Sequence, residues 1–568
     1  MNIPENLNFD VIVIGGGTAG AIMAARLSEQ RDRRVLLIEA GTDFPIETEI
    51  PAQLKNSNIP VMSGYNWELQ AMRRQMSMAS SLAHLGRVAK VFETASNRLA
   101  LVQKAPKMMM SGGDSLNKMS YPMGKVMGGG SSVNGALAMH AREADYTAWA
   151  ARGNDFWHWE RVQPWIDKLE RDEPEKSALP IETPKAHEYT RLQNAFLAAC
   201  IAMGLDEVSS REAVTGVRAI PKNTRNGRRV STATIYLAAA RQRENLTIWS
   251  ECHVDKLIMS EDDGAKAARG VDAIHKGKRY RIFSKHIVLS AGAIHSPTIL
   301  MRSGIGATEE LARLGIKSTI NLPGVGQNLI DHPVVSIWGV PAEHAFERGE
   351  AIHQLMLEQH SSGSTHCDLQ LLMLSAVPTM MFPPLEDFVG AKEASGISIV
   401  LATPKSTGSV VAANTDPFCA PKIYLNCLQD EQDCRRMMEG VRSAWHLMNQ
   451  PNMRQEIPKI VFWNQAIIDS DDLLRNAIQT TVRASWHPVG TLRMGPDADA
   501  MAVVDQFGNL RGCENVTVAD ASIMPAIPGV PTNLTCMLIA ERIAATLRAR
   551  LANVAEPERS TEKAIEVM

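Results

Sequence analysis

Three glycines set between a β-branched run and an alanine-rich helix former constrain this chain more than any other feature. The stretch VIVIGGGTAGAIMAARLSEQ begins at Val11. FDVIVIG is short, continuous and apolar, as a buried parallel strand requires, and AGAIMAARLSE predicts the helix that follows it. Gly15, Gly17 and Gly20 fall in the GxGxxG spacing. The first glycine permits a tight turn, the second lets the backbone approach a pyrophosphate, and the third lets helix and strand pack closely. Thr18 and Ala19 open the helix, where unpaired N–H groups and the dipole favour phosphate. Downstream, RRVLLIEAG supplies a second apolar strand ending in Glu39 and Ala40. Glu39 stands 19 residues past Gly20, where an acid accepts hydrogen bonds from an adenosine ribose and repels a 2′-phosphate. Strand, turn, helix and acid together specify a dinucleotide-binding α/β unit, with NAD and FAD both open at this point.

A chain of 568 residues exceeds what one core usually supports, so a second unit is expected. The 59 basic and 62 acidic residues nearly cancel, which leaves no global field for nucleic acid. MNIPENLNFD has neither a basic nor an apolar leader region, and no run is long and apolar enough for a bilayer span, so a cytoplasmic location is expected. Eight cysteines form no CxxC pair and adjoin no histidine at metal spacing, so neither disulfides nor a metal site is expected.

Later segments repeat the glycine theme. GKVMGGGSSVNGALAMHAREADYTAW starts at Gly124, and GAIHSPTILMRSGIG starts at Gly292 after the strand HIVLSAG. Near the C-terminus come SWHPVGTLRMG and VADASIMPAIPGVPTNLTCMLIAERIAATL. In these segments and their order the chain resembles the glucose-methanol-choline (GMC) family of FAD-dependent oxidoreductases, from about Phe9 to about Leu551, with Met127 where a branched aliphatic is more usual. The resemblance implies a doubly wound, Rossmann-like α/β FAD-binding domain and a discontinuous α+β substrate-binding cap. It also implies hydride transfer from an alcohol to flavin, with oxygen or another electron acceptor to follow.

His487, between Trp486 and Pro488, is the histidine in the family's catalytic motif, and titration near neutrality suits the residue type to general-base work. Asn533 is expected to orient the substrate oxygen, since an amide donates and accepts but is no base. It also lies with Thr532, Leu534 and Thr535 at a helix start, where capping is the competing role. The N–H groups of that start suit the anionic edge of a reduced flavin. The resemblance further places Gly128, Gly129, Ser131, Asn134 and Gly135 near the flavin ring, and Asp520 and Ala521 near the pyrophosphate and ribityl chain. Some members attach FAD through a histidine preceding the asparagine equivalent to Asn134. Val133 stands there and has no nucleophile, so non-covalent FAD is expected. His332, in GVGQNLIDHP, reads as structural, and His140 and His295 as non-catalytic residues of signature segments. A primary alcohol is the expected substrate. The alternatives are an acceptor-linked dehydrogenase, a non-redox lyase and a photodecarboxylase.

The expected boundaries are 1–150, 225–325 and 486–550 for the FAD-binding domain, 151–224 and 326–485 for the cap, and 551–568 for a charged mobile tail. Residues 70–118 form a basic, Met-rich insertion. Leu82, Leu85, Val88 and Val91 fall at helical spacing, and seven basic residues (Arg73, Arg74, Arg87, Lys90, Arg98, Lys104, Lys107) face one acid, Glu93, between 70 and 107. Such a helix suits a subunit contact or lid better than a membrane surface. The methionines at 108–110 suit an adaptable channel wall. Oligomeric state has no signature in the sequence.

Overall fold

The opening apolar run forms the strand Asn8–Ile14 inside a seven-stranded sheet, in a computed structural model that describes residues 8–74, 78–96, 117–170, 179–208, 214–260 and 266–555. Val11 to Ile14 are buried, and the run is continuous because helices cover both faces of such a layer. Val35–Ile38 and the second half of Lys278–Leu289 flank it in parallel. Leu246–Trp249 and Val516–Val518 extend this parallel layer on either side. The first half of Lys278–Leu289 instead pairs antiparallel with Ala268–His275, which pairs with Cys252–Met259. The helix Thr18–Leu27 lies beside the C-terminal helix Asn533–Ala555. Its small side chains let the two approach, and Arg26 locks them by pairing with Glu541 at 2.8 Å.

A second sheet of seven strands carries the cap. Its order runs Lys459–Ile460, Pro333–Val340, Glu393–Leu401, Leu369–Pro378, Leu355–Gln359 and Gly216–Ala219, with Arg483–Ala484 also on Pro333–Val340. All its pairings are antiparallel. Glu431–Met448 packs on it so closely that a β-carbon on Gly440 would stand 2.6 Å from Ile399 Cγ2. The two sheets therefore organise two hydrophobic cores.

Trp157, Val162, Ile166, Leu169 and Leu179 pack into the first core, beside the C-terminal helix. The apolar face of Trp159–Glu170 is thus completed by the first core, although residues 151–224 are expected in the cap. The C-terminal helix continues to Ala555, past the expected start of the tail, and the rest of the tail lies outside the described residues.

In the insertion, Gln70–Met72 and Lys118–Ser120 pair with each other, and Gln70–Met72 also pairs with Lys422–Tyr424. The helix Met78–Thr94 packs against Asp471–Thr481 through a face that buries Val88, Val91 and Phe92 in the cap core. Arg73 donates to Val482 O and Arg74 to Leu428 O, so neither contributes to an open basic face. The side chains of Leu82 and Leu85, together with Arg98, Lys104, Lys107 and the methionines at 108–110, lie outside the described residues. No helix among the described residues is long and apolar enough to cross a membrane.

Candidate active site

The first turn of the chain builds one wall of a cleft at the C-terminal ends of the parallel strands. Gly15 adopts a φ of +92°, and a β-carbon on it would stand 2.6 Å from Ser290 O. A β-carbon on Gly20 would stand 1.7 Å from Gly15 O, so helix and strand touch only because that position is bare. Gly17, Thr18 and Ala19 line the cleft, and the N–H groups of this first turn have no partners within the helix. Opposite them lies the second glycine turn. A β-carbon on Gly129 would come within 2.7 Å of Gly17 Cα.

Ala40, Gly129, Asn134, Gly135 and Ala521 line the same cleft. Gly20, Gly128, Ser131, Leu534 and Thr535 do not; they build its frame. Ser131 N–H donates to Thr18 Oγ1 at 3.2 Å and its hydroxyl to Gly128 O at 2.7 Å, which ties the two glycine turns together. Val133 is buried beside Leu54 and Val126, outside the cleft lining.

Glu39 and Asp520 are both buried and both hold backbone. Glu39 accepts from Gly16 N–H and Gly41 N–H at 2.7 Å each, and burial pushes its carboxyl up to about 7. Each oxygen keeps a lone pair for a further donor. Asp520 accepts from Gly292 N–H (2.8 Å), Ser296 Oγ (2.6 Å) and Ser522 N–H (2.8 Å), and burial raises it as well. Cys252 N–H donates to Glu39 O at 2.9 Å, which sets His253 next to this end of the cleft. There the rings of Trp67, His253 and His295 meet, with centroids 5.7 and 4.4 Å from Trp67. Nε2 of each histidine is buried without a partner, and burial lowers the two rings to about 4 and about 3. His295 is expected near the cofactor but not in catalysis, whereas no sequence motif singles out Trp67 or His253. His140 contacts Glu170 at 2.9 Å and does not line the cleft.

His487 reaches the cleft from a break in a ladder. Arg483–Ala484 pairs with the start of Pro333–Val340, and Ser485 N–H donates to His332 O at 3.0 Å. Pairing resumes between Ile330 and Val489. Between these points Asp331 alone faces Trp486, His487 and Pro488, so the longer strand bulges. Trp486 takes a φ of +61° there, uncommon for a bulky residue, and stacks on Phe382 at 6.0 Å. Asp331 Oδ1 accepts from His487 N–H at 3.0 Å and Oδ2 from the Tyr121 hydroxyl. Burial holds Asp331 up at about 7 and lowers His487 to about 3, with His332 beside it contributing second. The expected titration near neutrality therefore does not hold, because desolvation disfavours the imidazolium.

Two expectations change here. His332 is not remote from the chemistry, since its Nδ1 lies 3.0 Å from His487 Nδ1. Asn533 lines the cleft, but its amide is engaged on the nucleotide side. Its Oδ1 accepts from Thr18 Oγ1 at 3.3 Å and its Nδ2 donates to Asn223 Oδ1 at 3.1 Å. That geometry joins the two helix starts and leaves the amide one N–H and one lone pair for a further partner in the cleft. His353, behind Gly135, is a further residue not found in the sequence. Its Nε2 stands 2.9 Å from where a β-carbon on Gly135 would lie.

Two family models match the chain, both described as GMC oxidoreductase, over residues 9–334 and 404–540. A 5-(hydroxymethyl)furfural oxidase of Methylovorus sp. (strain MP688) is 30% identical, with 94% of this chain and 98% of that protein covered. A glucose dehydrogenase [FAD, quinone] of Drosophila pseudoobscura pseudoobscura is 28% identical over 95% of this chain and 87% of its own length. Among solved structures, pyridoxine 4-oxidase from Mesorbium loti superposes with a TM-score of 0.78 at 26% identity, covering 95% of this chain and 99% of that one.

Proposed function

The chain belongs to the GMC oxidoreductase family, whose FAD-dependent members act on CH–OH groups, and from that premise we propose that it oxidises a primary alcohol to an aldehyde with His487 as the base. The observation that carries this is a neutral, partly buried imidazole fixed at its backbone by Asp331 and lining the cleft that also holds the glycine turns.

The cleft fits FAD on its own chemistry. Two glycine turns face each other, with Gly129 so close to Gly17 that it has no room for a β-carbon. Glu39 keeps acceptor capacity for ribose hydroxyls, and the unpartnered nitrogens of His253 and His295 offer hydrogen bonds beside it. Gly17, Thr18, Gly129, Glu39, Asp520 and Asn533 would hold the cofactor, non-covalently. FAD supplies the hydride acceptor when bound. His487 takes the hydroxyl proton on a ring nitrogen that burial keeps unprotonated. Trp486, stacked on Phe382, supplies an apolar, aromatic wall at the edge of the cleft.

Anaerobic mixing of the flavoprotein with benzyl alcohol, 5-(hydroxymethyl)furfural and pyridoxine, followed by air, tests the reading. Bleaching with prompt recovery and peroxide is expected. Bleaching without recovery favours a dehydrogenase using another acceptor, the second reading that the name of the Drosophila relative supports. A flavin that stays yellow with every alcohol refutes the proposal and returns the lyase and photodecarboxylase alternatives.

A further inference from the structure

We propose that His332 is a positioning residue that holds His487 in the one tautomer able to accept a proton from substrate. The role rests on the reading of His487 as the base. Nε2 of His332 lies 3.0 Å from Pro528 O, and a carbonyl only accepts, so this nitrogen carries the hydrogen. The ring is neutral, because full burial lowers it to about 4 against the partial opposition of the Pro528 and Ala402 carbonyls. Its Nδ1 therefore presents a lone pair. That lone pair lies 3.0 Å from His487 Nδ1, which must donate to it. The proton positions are assigned from this network, and only one assignment satisfies both contacts. His487 Nε2 is then left unprotonated and is the nitrogen that receives the alcohol proton as the hydride leaves carbon.

The same short segment holds the base twice. Asp331 accepts the His487 backbone N–H, and His332 accepts its ring N–H. Each holder is itself anchored, Asp331 by Tyr121 and His332 by Pro528 O. Of the titratable neighbours on this side, Asp331 meets His487 through its backbone N–H rather than its ring, and the Tyr121 hydroxyl bonds to Asp331 alone. Asp331 and His332 end one strand of the ladder whose bulge carries His487, so register places ring against ring. A second histidine of purely structural use needs none of this directionality.

His332→Leu removes the acceptor at similar volume, whereas His332→Gln restores the pattern, with Oε1 accepting from His487 and Nε2 donating to Pro528. The rate of anaerobic flavin reduction should fall about 10²- to 10³-fold in the Leu chain and recover to within about tenfold of wild type in the Gln chain. Flavin content and Tm of the Gln chain should stay near wild type. Cumyl alcohol, a tertiary alcohol with no hydride to give, provides a readout apart from turnover. Titrated on flavin absorbance, it should bind more weakly to the Leu chain because its hydroxyl loses a fixed acceptor. A Leu chain reduced within about threefold of wild type, binding cumyl alcohol equally well, overturns the role. So does a folded, FAD-loaded Gln chain reduced at under about a hundredth of the wild-type rate, and that result decides alone should the Leu chain not fold. A wild type bleached by no alcohol overturns the alcohol reading and this role with it. A bleached wild type with an unimpaired Leu chain overturns this role alone.

Discussion

Replacing Glu39 by Gln should separate cofactor affinity from fold stability. In the free protein the two carboxylate oxygens each accept one backbone N–H, from Gly16 and Gly41, and burial pushes the group from its ordinary 4.5 up to about 7. At pH 8 the buried charge therefore opposes folding by about 3 kcal/mol, at about 1.4 kcal/mol per decade. Gln removes that cost but turns one acceptor into a donor facing a backbone N–H, a loss of about 1–3 kcal/mol. The two nearly cancel, so the Tm of the apoprotein should shift little. Ribose hydroxyls, by contrast, lose one of two charged acceptors, so the Kd for FAD should rise by about 1.5–3 kcal/mol, roughly 10- to 150-fold. The pH dependence follows in sign. A raised carboxyl is protonated below about 7 in the free protein, and ribose donors favour its ionised form, so FAD binding releases a proton. Kd should then rise as pH falls through 7, approaching tenfold per unit for a single proton, and level off above it. The same group lowers apoprotein stability as pH rises from about 4.5 towards 7, because the unfolded chain releases the proton first. Fluorescence titration of apoprotein with FAD from pH 5.5 to 8.5 measures both effects. A wild-type Kd flat across that range, or a Gln chain binding FAD as tightly as wild type, would refute the reasoning.

Other outcomes follow from single contacts. Gly20→Ala places a β-carbon 1.7 Å from Gly15 O, so it should cost about 3 kcal/mol or more in chemical denaturation and weaken FAD retention. Glu358, fully buried in the cap sheet, accepts from Arg142 (2.5 Å), forms an ion pair with Arg218 (3.0 Å) and ties the cap to the segment after the second glycine turn. Glu358→Gln leaves the guanidinium groups without their anion and should destabilise the protein by about 3–5 kcal/mol, read as a lower denaturation midpoint. With Val133 packed on Leu54 and Val126, acid precipitation should leave the yellow colour in the supernatant, and colour in the pellet would disprove non-covalent binding.

The nucleotide-binding start was legible because its determinants are local. Gly15, Gly20 and Glu39 act over a few residues or one strand crossing, the glycines giving the tight turn and the close packing and Glu39 accepting backbone N–H groups at the end of its strand. Trp157 and Val162, expected in the cap, pack in the first core, because an amphipathic helix shows that it has an apolar face, not which core completes it. Asn533 was placed at the substrate because its motif names the segment. The amide's direction is set by Thr18 and Asn223, which are far away in the chain. His332 and His487, 155 residues apart, meet only through the register of one ladder and its bulge.

The sequence by itself determined the parallel α/β unit, the glycine turns, the acid at the end of the second strand and the family, since these rest on backbone sterics and on short, ordered motifs. Only the tertiary structure decided which buried polar atoms face one another and how deeply each is desolvated. That is why Glu39 and Asp331 rise to about 7 and His487 falls to about 3. Protonation depends on the free energy of charge in its surroundings, and those surroundings are assembled from segments that no local pattern connects.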